Sequence, residues 1–278
     1  MTEFTTNAEG RSLPAEIDST VAHAARVYDY MLGGTDNFAV DRAAAEAAAA
    51  AVGGMDNVWA EVQANRAFLG RAVRYLTNEA GIRQFLDVGT GIPNANNVHA
   101  VAQGEAPESL VVYVDNDPIV LAHAHYLLKS VEPGRTRYIQ ADLRDTGSIV
   151  DQAAELLDLS QPVAVMLVGL LHHFRDVDDP YRLVARLMEA VPSGSYLAMS
   201  HLAIDIMPEA MEAAAVHLNE AMEEPWIPRT HAAVARFFEG LEPVEPGVVQ
   251  VDEWRNPDAP PPPPGWTNPL YVGVGRKP

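Results

Sequence analysis

The chain has 278 residues, 48% of them hydrophobic, contains no cysteine and carries a net charge of −19. This length and composition predict one α/β domain with additions, and the missing cysteines exclude disulfides, thiolate metal sites and a cysteine nucleophile. The acidic charge, with no basic run to offset it, argues against nucleic acid as a partner.

The sequence carries no recognisable targeting or membrane segment. Residues 1–9 lack the basic start and the apolar core of a signal peptide. The longest apolar run, Val163–Leu171, is too short to cross a bilayer. We therefore expect a cytoplasmic protein without a membrane partner.

The chain divides into three predicted parts. Residues 1–18 have no periodicity and are expected to be a mobile arm. Residues 19–80 are predicted to form an N-terminal helical cap, and residues 81–278 to form the cofactor-binding domain. Ser19 is the expected N-cap of the first helix, which ends at Gly33 and Gly34.

Two further helices are predicted before the sheet. Asp36 or Asp41 starts a helix through the alanine tract Ala43–Ala51, where helix propensity is high. The next helix runs from Val58 to Leu76, with apolar residues at alternating steps of four and three. Asn65 lies on this apolar seam, so it is either a satisfied core amide or a group that reaches a ligand.

Strands and helices alternate from residue 84 onward. The strand candidates are short, nearly continuous apolar runs, which is typical of parallel strands that are covered on both faces. They are Phe85–Val88, Leu110–Val114, Arg137–Gln140, Val163–Val168, Tyr196–Ser200, Val248–Val251 and Leu270–Val274. The insert before the last strand contains Pro260–Pro264, which we expect to be a stiff loop rather than a docking ligand for an aromatic groove.

The ends of the first two strands carry a pattern for an adenosine-containing ligand. The first strand leads into Asp87-Val-Gly-Thr-Gly91, and Asp115 ends the second. Glycines let a ligand approach the backbone, and Asp115 is positioned to accept hydrogen bonds from ribose hydroxyls. The third glycine of a dinucleotide loop is missing, which argues against a nicotinamide-dependent oxidoreductase. Asp142 follows the third strand, so three acids are expected at one edge of the sheet.

Histidines follow two later strands. His172 and His173 come after the fourth strand and are the candidate catalytic residues, since a histidine near neutrality can take a proton from an attacking hydroxyl or amine. His201 follows the fifth strand and is either a satisfied histidine or a pocket residue. No third ligand has metal spacing relative to the pair, so no metal site is expected.

The segment Arg26–Asn37 places tyrosines, an arginine and an amide around a diglycine. It is either a flap over the site or an ordinary amphipathic helix with its C-cap. The predicted substrate-pocket residues are Tyr28, Tyr30, Asn37, Asn65 and His201.

Several motifs resemble a family of S-adenosylmethionine-dependent methyltransferases common in actinobacteria, of the class I, Rossmann-like type. The similarity extends over almost the whole chain from Thr20. Its N-terminal signature is Arg26–Phe38 (RVYDYMLGGTDNF), and the other matching segments are Ala64–Phe68, Arg83–Gly91, Val112–Pro118, Ala141–Asp145 and Glu245–Val249.

The resemblance implies a seven-stranded sheet with the last strand antiparallel, and S-adenosylmethionine as cofactor. It implies that Gly89–Gly91 line the methionine moiety, Asp115 holds the ribose, Asp142 accepts from the adenine amino group and the Leu143 N–H meets the ring. The predicted cofactor-binding residues are Asp87, Gly89, Thr90, Gly91, Asp115, Asn116, Asp142, Leu143 and Gly169.

The resemblance does not imply a particular methyl acceptor. The leading hypothesis is a methyltransferase that acts on a small molecule. The alternative is a non-catalytic module that binds S-adenosylmethionine or S-adenosylhomocysteine and regulates, because no catalytic base is unmistakable in the sequence.

Overall fold

A computed structural model describes residues 4–6, 12–14, 18–92, 96–120, 135–257 and 265–278 of the chain. Within these residues, one mixed sheet of eight strands lies between two apolar cores. Successive residues of a strand face opposite sides of the sheet. Ala164 and Met166 accordingly belong to one core, and Val165 and Leu167 belong to the other.

The described strands and helices are numbered here in chain order. The strands are β1 (Phe4–Thr6), β2 (Ser12–Pro14), β3 (Gln84–Val88), β4 (Leu110–Asp115), β5 (Thr136–Gln140), β6 (Ala164–Val168), β7 (Tyr196–Leu202), β8 (Glu242–Pro243), β9 (Val249–Gln250) and β10 (Leu270–Arg276). The helices are α1 (Ala24–Met31), α2 (Ala39–Ala51), α3 (Met55–Asn78), α4 (Val98–Glu105), α5 (Thr146–Ala153), α6 (Pro180–Glu189), α7 (Pro208–Ala221) and α8 (His231–Ala235).

Five strands of the large sheet are parallel, in the spatial order β5-β4-β3-β6-β7. β10 runs antiparallel beside β7, with Leu270 opposite Leu202 and Arg276 opposite Tyr196. The predicted fold class and the antiparallel last strand are therefore confirmed. The predicted count of seven strands is one short, because the two-residue strand β8 pairs with the end of β10 and has no apolar run to reveal it.

The strand order creates a crevice at one edge of the sheet. From β3 the chain builds outward through β4 and β5, and then crosses to β6 and β7 on the other side. Ligands of such sheets bind where the order reverses, at the carboxyl ends of the strands. β3, β4 and β6 end at Val88, Asp115 and Val168, so the glycine loop and the first acids lie at this edge.

The N-terminal helices α1–α3 pack together and cover this part of the sheet. α2 packs against α1, α3 and α7, and α3 also contacts α4, β6 and β10. Residues of α1, α2, α3 and α7 belong to the same apolar core as one face of the sheet. Of the helices that the structure describes, none has the length and apolar character needed to span a bilayer.

The start of the first helix differs from the prediction. α1 begins at Ala24 with His23 as its N-cap, so the assignment of Ser19 as N-cap is wrong. The carboxylate of Asp18 accepts hydrogen bonds from the N–H (2.8 Å) and hydroxyl (2.6 Å) of Thr20, and this local turn competes with helix formation.

Other predictions for irregular segments have different outcomes. Within the predicted arm, β1 and β2 pair as a two-stranded antiparallel sheet. α2 begins at Ala39, and the Asp41 carboxylate in its first turn accepts from the Phe38 N–H at 2.8 Å. The proline run Pro260–Pro264 lies outside the described residues.

Candidate active site

A cavity of about 420 Å³ opens at the carboxyl edge of the parallel strands. The ends of β3, β4 and β6 and the segment after β5 form one side, and α1–α3 and α7 form the other. The cavity is lined by all nine predicted cofactor-binding residues: Asp87, Gly89, Thr90, Gly91, Asp115, Asn116, Asp142, Leu143 and Gly169.

The glycine loop after β3 has a backbone that other residues rarely adopt. Gly89 has φ +73° and Gly91 has φ +64°. A Cβ on Gly89 would lie 2.5 Å from a methyl carbon of Leu170, so a side chain here would force Leu170 to move and would also strain the positive φ. The corresponding space at Gly91 has no atom within 4 Å, which leaves room for a ligand against the backbone. The loop therefore fits the expected approach of a cofactor.

The buried carboxylate of Asp115 holds the glycine loop in place. It accepts hydrogen bonds from the Gly91 N–H at 2.8 Å and from the Asp117 N–H at 3.0 Å. Burial raises the pKa of Asp115 to about 6, although these two hydrogen bonds oppose the rise. A carboxylate has about four acceptor sites, so this one can still accept from two ribose hydroxyls.

A second buried acid lies at the end of β3. Asp87 accepts from the hydroxyl of Thr90 at 3.1 Å, and burial raises the pKa of Asp87 to about 7. The acid after β5 has different surroundings, because Asp142 accepts from both the N–H (2.7 Å) and the guanidinium (2.9 Å) of Arg144. Asp142 thus takes part in a partly exposed ion pair with Arg144 and has capacity for a further donor.

The two candidate catalytic histidines line the cavity and have different partners. His173 Nδ1 lies 3.0 Å from the carbonyl oxygen of Pro225. Since a carbonyl can only accept, Nδ1 carries the proton and Nε2 of neutral His173 is free of one. His172 is buried, and its Nδ1 has no hydrogen-bond partner among the described residues. Burial lowers the pKa of both rings, that of His172 most strongly.

His201 lies outside the cavity lining and has a structural environment. Its Nδ1 donates to the Leu202 carbonyl at 2.8 Å, and its Nε2 accepts from Arg229 at 3.0 Å. Burial lowers the pKa of His201 to about 3, so the ring is neutral. Arg229 also donates to the carbonyls of Leu171 and Phe174, and so fixes the turn that carries the histidine pair. This arginine was not predicted from the sequence, because no local motif marks it.

Tyr28 and Asn65 meet at the cavity. The amide nitrogen of Asn65 donates to the Tyr28 hydroxyl at 3.0 Å, and its oxygen accepts from the Ser200 hydroxyl at 2.7 Å. Asn65 is therefore a satisfied core amide and a cavity residue at once. The Asn65 amide also lies 3.2 Å from the position of a Cβ on Gly169, which places this part of α3 beside the end of β6.

Tyr30 and Asn37 do not line the cavity. The Tyr30 hydroxyl donates to Glu46 at 2.8 Å, near the surface. Asn37 is buried and donates to the carboxylate of Asp29 at 2.9 Å, which also accepts from the Asp36 N–H at 2.9 Å. These bonds hold the Gly33–Gly34 turn against α1. The segment predicted as a flap is therefore a packed helix followed by a turn that hydrogen bonds fix in place. A role for Tyr30 or Asn37 in substrate binding stays a prediction.

A charged group that was not predicted from the sequence joins three segments at the cavity. His23, just before α1, contacts Asp117 at 3.0 Å and Glu224 at 2.7 Å. Burial opposes protonation, but these two carboxylates raise the pKa of His23 to about 10, so the ring is charged. The three residues are far apart in the chain and share no spacing that would predict their contact.

A second missed residue, Glu61, lies on α3 and lines the cavity. It precedes Asn65 by four residues, which is one helical turn, so helical spacing from the predicted Asn65 could have found it. No group of three or more histidine, aspartate or glutamate side chains is arranged to hold a metal ion within the described ranges.

The strand order, the glycine loop and the strand-end acids together define a class I methyltransferase fold. The solved structure of the mitomycin 7-O-methyltransferase MmcR supports this fold, with a TM-score of 0.51 at 17% identity over 81% of this chain and 57% of that one. A search of curated proteins gave no match.

The model of the S-adenosyl methyltransferase family matches residues 10–278, and the chain belongs to this family. A DUF574 family protein from Streptomyces avermitilis MA-4680 is 44% identical, with a TM-score of 0.87 over 94% of this chain and 99% of that one. A candidate methyltransferase from Thermobifida fusca YX is 40% identical, with a TM-score of 0.83 over 93% and 96% of the two chains. The predicted family is confirmed, and S-adenosylmethionine is its cofactor.

Proposed function

We propose that this protein transfers the methyl group of S-adenosylmethionine to a small molecule bound beside the cofactor. One observation carries the proposal: the cavity that holds every predicted cofactor residue continues between α1, α2, α3 and α7, where its walls are mainly apolar. A macromolecular acceptor would need an open surface, whereas a continuous internal cavity suits a small one.

The cofactor residues act by positioning. The Asp115 carboxylate accepts from the ribose, the Gly89–Gly91 backbone leaves room for the methionine part, and Asp142 with the Leu143 N–H reads the adenine. When bound, S-adenosylmethionine supplies an electrophilic methyl group. Methyl transfer from a sulfonium depends chiefly on alignment and on exclusion of water. Tyr28 and Asn65, which belong to the cavity wall, keep α1 and α3 in register over the site.

We propose that His173 takes the proton from the substrate group that receives the methyl. Its Nδ1 proton is directed to Pro225, which leaves Nε2 able to accept from a hydroxyl or amine. The neighbouring His172 stays neutral, so it places no positive charge beside His173 that would weaken its ability to accept a proton. Such a base contributes roughly 100- to 10,000-fold to a rate.

The test has a binding stage and a turnover stage. Calorimetric titration with S-adenosylhomocysteine and with NAD is expected to give binding of the first ligand only. Incubation with methyl-labelled S-adenosylmethionine and a small-metabolite extract is then expected to transfer label to a low-mass product. His173→Asn should reduce this transfer without changing affinity for S-adenosylhomocysteine. Binding without transfer to any acceptor would instead favour the regulatory alternative.

A further inference from the structure

The part of the cavity remote from the sheet is an apolar chamber. Its walls come from α1, α2 and α3, with α7 closing one side. We use the name acceptor chamber for the space bordered by Val27, Met31, Ala48, Val52, Val58 and Val62, with Met211 and Leu218 of α7. Most of these side chains belong to the same apolar core, so the chamber suits an apolar molecule.

Glu61 is an acidic side chain in this apolar setting. It is half-buried and lines the cavity, yet among the described residues it has no hydrogen bond or ion pair. Burial alone raises the pKa of Glu61 to about 8. A carboxyl group in an apolar wall is costly unless a partner satisfies it, and a ligand can supply that partner.

The other charged groups that line the cavity have partners or are exposed to solvent. On the acidic side, Asp87, Asp115, Asp142, Asp178 and Glu224 have partners, and Glu223 is exposed. On the basic side, Arg66 donates to Asn96 and Asn97, Arg144 pairs with Asp142 and Asp178, His23 pairs with Asp117 and Glu224, and Arg175 is exposed. Within the described part of the chain, Glu61 is therefore the partly buried acidic lining group for which no hydrogen-bond or ion-pair partner is present.

The position of Glu61 on α3 separates it from the cofactor residues. Asn65 is the α3 residue beside Gly169, and Glu61 lies one turn, about 5.4 Å, before it along the helix. The preceding turn of α3 carries Val58, which borders the acceptor chamber. Glu61 thus lies between the cofactor side and the apolar end of the chamber.

We propose that the acceptor chamber binds an apolar amine whose ammonium group pairs with the carboxylate of Glu61. The inference rests on the proposed function of the cavity and specifies its acceptor class. A carboxylate ligand would place a second acid beside Glu61, and a neutral alcohol could make only an uncharged hydrogen bond with its carboxyl group, whereas an ammonium group can form an ion pair with it. The ion pair is a recognition contact, and it is independent of which acceptor atom takes the methyl group.

The experiment compares two probes of matched shape. Protein saturated with S-adenosylhomocysteine is titrated with 2-phenylethylamine and with 2-phenylethanol. The two probes share a carbon skeleton, and only the amine carries a cationic group. We expect the amine to bind about tenfold more tightly or better, since a charge-assisted contact replaces a neutral one. Because Glu61 holds a proton near neutral pH in the free protein, amine binding should also release a proton, seen as a heat that depends on the buffer. Tyr28 interacts electrostatically with Glu61, and burial raises the pKa of Tyr28 to about 12, so Tyr28 keeps its proton in this range.

Three variants separate the outcomes. Glu61→Gln, with Glu61→Met as an apolar substitute if the first is unstable, should remove both the amine preference and the proton release. Glu212→Gln on the exposed face of α7 should keep both. Equal binding of the two probes, retention of the amine preference in the Glu61 variants, or no binding of the amine at all would overturn the proposal. Affinity for S-adenosylhomocysteine should be unchanged in every variant. If the unaltered protein does not bind S-adenosylhomocysteine, the proposed function is refuted instead.

Discussion

Replacing Asp115 by asparagine is the sharpest test of the cofactor site. Asparagine keeps the size of the side chain but removes its charge and turns one acceptor oxygen into a donor nitrogen. In the native protein both oxygens face backbone donors, at Gly91 (2.8 Å) and Asp117 (3.0 Å). The variant can satisfy only one of these N–H groups, and it loses the ionised acceptor for the ribose.

The expected loss follows from the number and the type of these contacts. A hydrogen bond to a charged group contributes about 1.5–3 kcal/mol, so losing it should weaken cofactor binding about 10- to 150-fold. Folding stability should change less, because two effects oppose each other. The loop loses one hydrogen bond, but the variant no longer bears the cost of burying a charge whose pKa is raised to about 6.

The pH dependence of binding supplies a second signature. Only ionised Asp115 offers two acceptor oxygens, so its contribution to affinity is present above about pH 6 and is lost as the pH falls through that value. The variant should lack this titration.

The assay is calorimetric titration with S-adenosylhomocysteine from pH 5 to pH 8, together with thermal unfolding. Asp158→Asn is a matched control, since Asp158 also accepts a backbone N–H (from Ser160 at 3.0 Å) but lies in an exposed turn outside the cavity lining. Unchanged affinity in the Asp115 variant, or a pH profile identical to that of the unaltered protein, would refute the assignment.

Three further predictions test the loop, the core amide and the charged histidine. Gly89→Ala should destabilise the fold and abolish cofactor binding in titrations because its Cβ would lie 2.5 Å from a neighbouring side chain, whereas Gly104→Ala, in a helix with open space, should be neutral or stabilising. Asn65→Leu should cost about 1–3 kcal/mol in urea unfolding for each of the two hydroxyls that it leaves without a partner; an unchanged midpoint would contradict this. The pKa of His23 is raised, so its stabilisation is fully present below about pH 6.5 and is lost as pH rises through about 10. Thermal unfolding of His23→Gln should lack this pH dependence, and the exposed variant His217→Gln should retain it.

The sheet, and the positions of the candidate cofactor residues along its edge, were predictable because they depend on local sequence. A buried parallel strand needs a continuous apolar run, and the residue that follows it lies at the ligand edge whatever the rest of the chain does. Asp87, Gly91 and Asp115 could therefore be assigned from strand ends and a glycine spacing alone. Their common location at one cavity agrees with that reasoning.

The roles of residues in the helical cap could not be predicted from local sequence in the same way. Polar groups in the segment Arg26–Asn37 have several available partners, and only the folded chain decides among them. Arg26 donates to the carbonyls of Asp18 (2.8 Å) and Val21 (2.7 Å), and Asn37 donates to Asp29, so the signature serves packing at these positions. Tyr28 alone among the predicted residues of this segment reaches the cavity. Tyr28 reaches the cavity because of the face of α1 on which it lies, and not because of its residue type.

Three acids that line the cavity give it an energetic cost that its ligands can offset. Burial raises the pKa of Glu61 to about 8, that of Asp87 to about 7 and that of Asp115 to about 6. A raised carboxyl pKa means that the folded state favours the protonated form, so each group lowers stability as pH rises through its folded pKa. Selection for stability alone would favour apolar residues at these positions, as it does in the surrounding walls. Donors on a ligand, such as ribose hydroxyls at Asp115 and an ammonium at Glu61, would compensate the same charges. The energetic cost of the ligand-free cavity and its capacity to bind cofactor and acceptor thus have one physical origin.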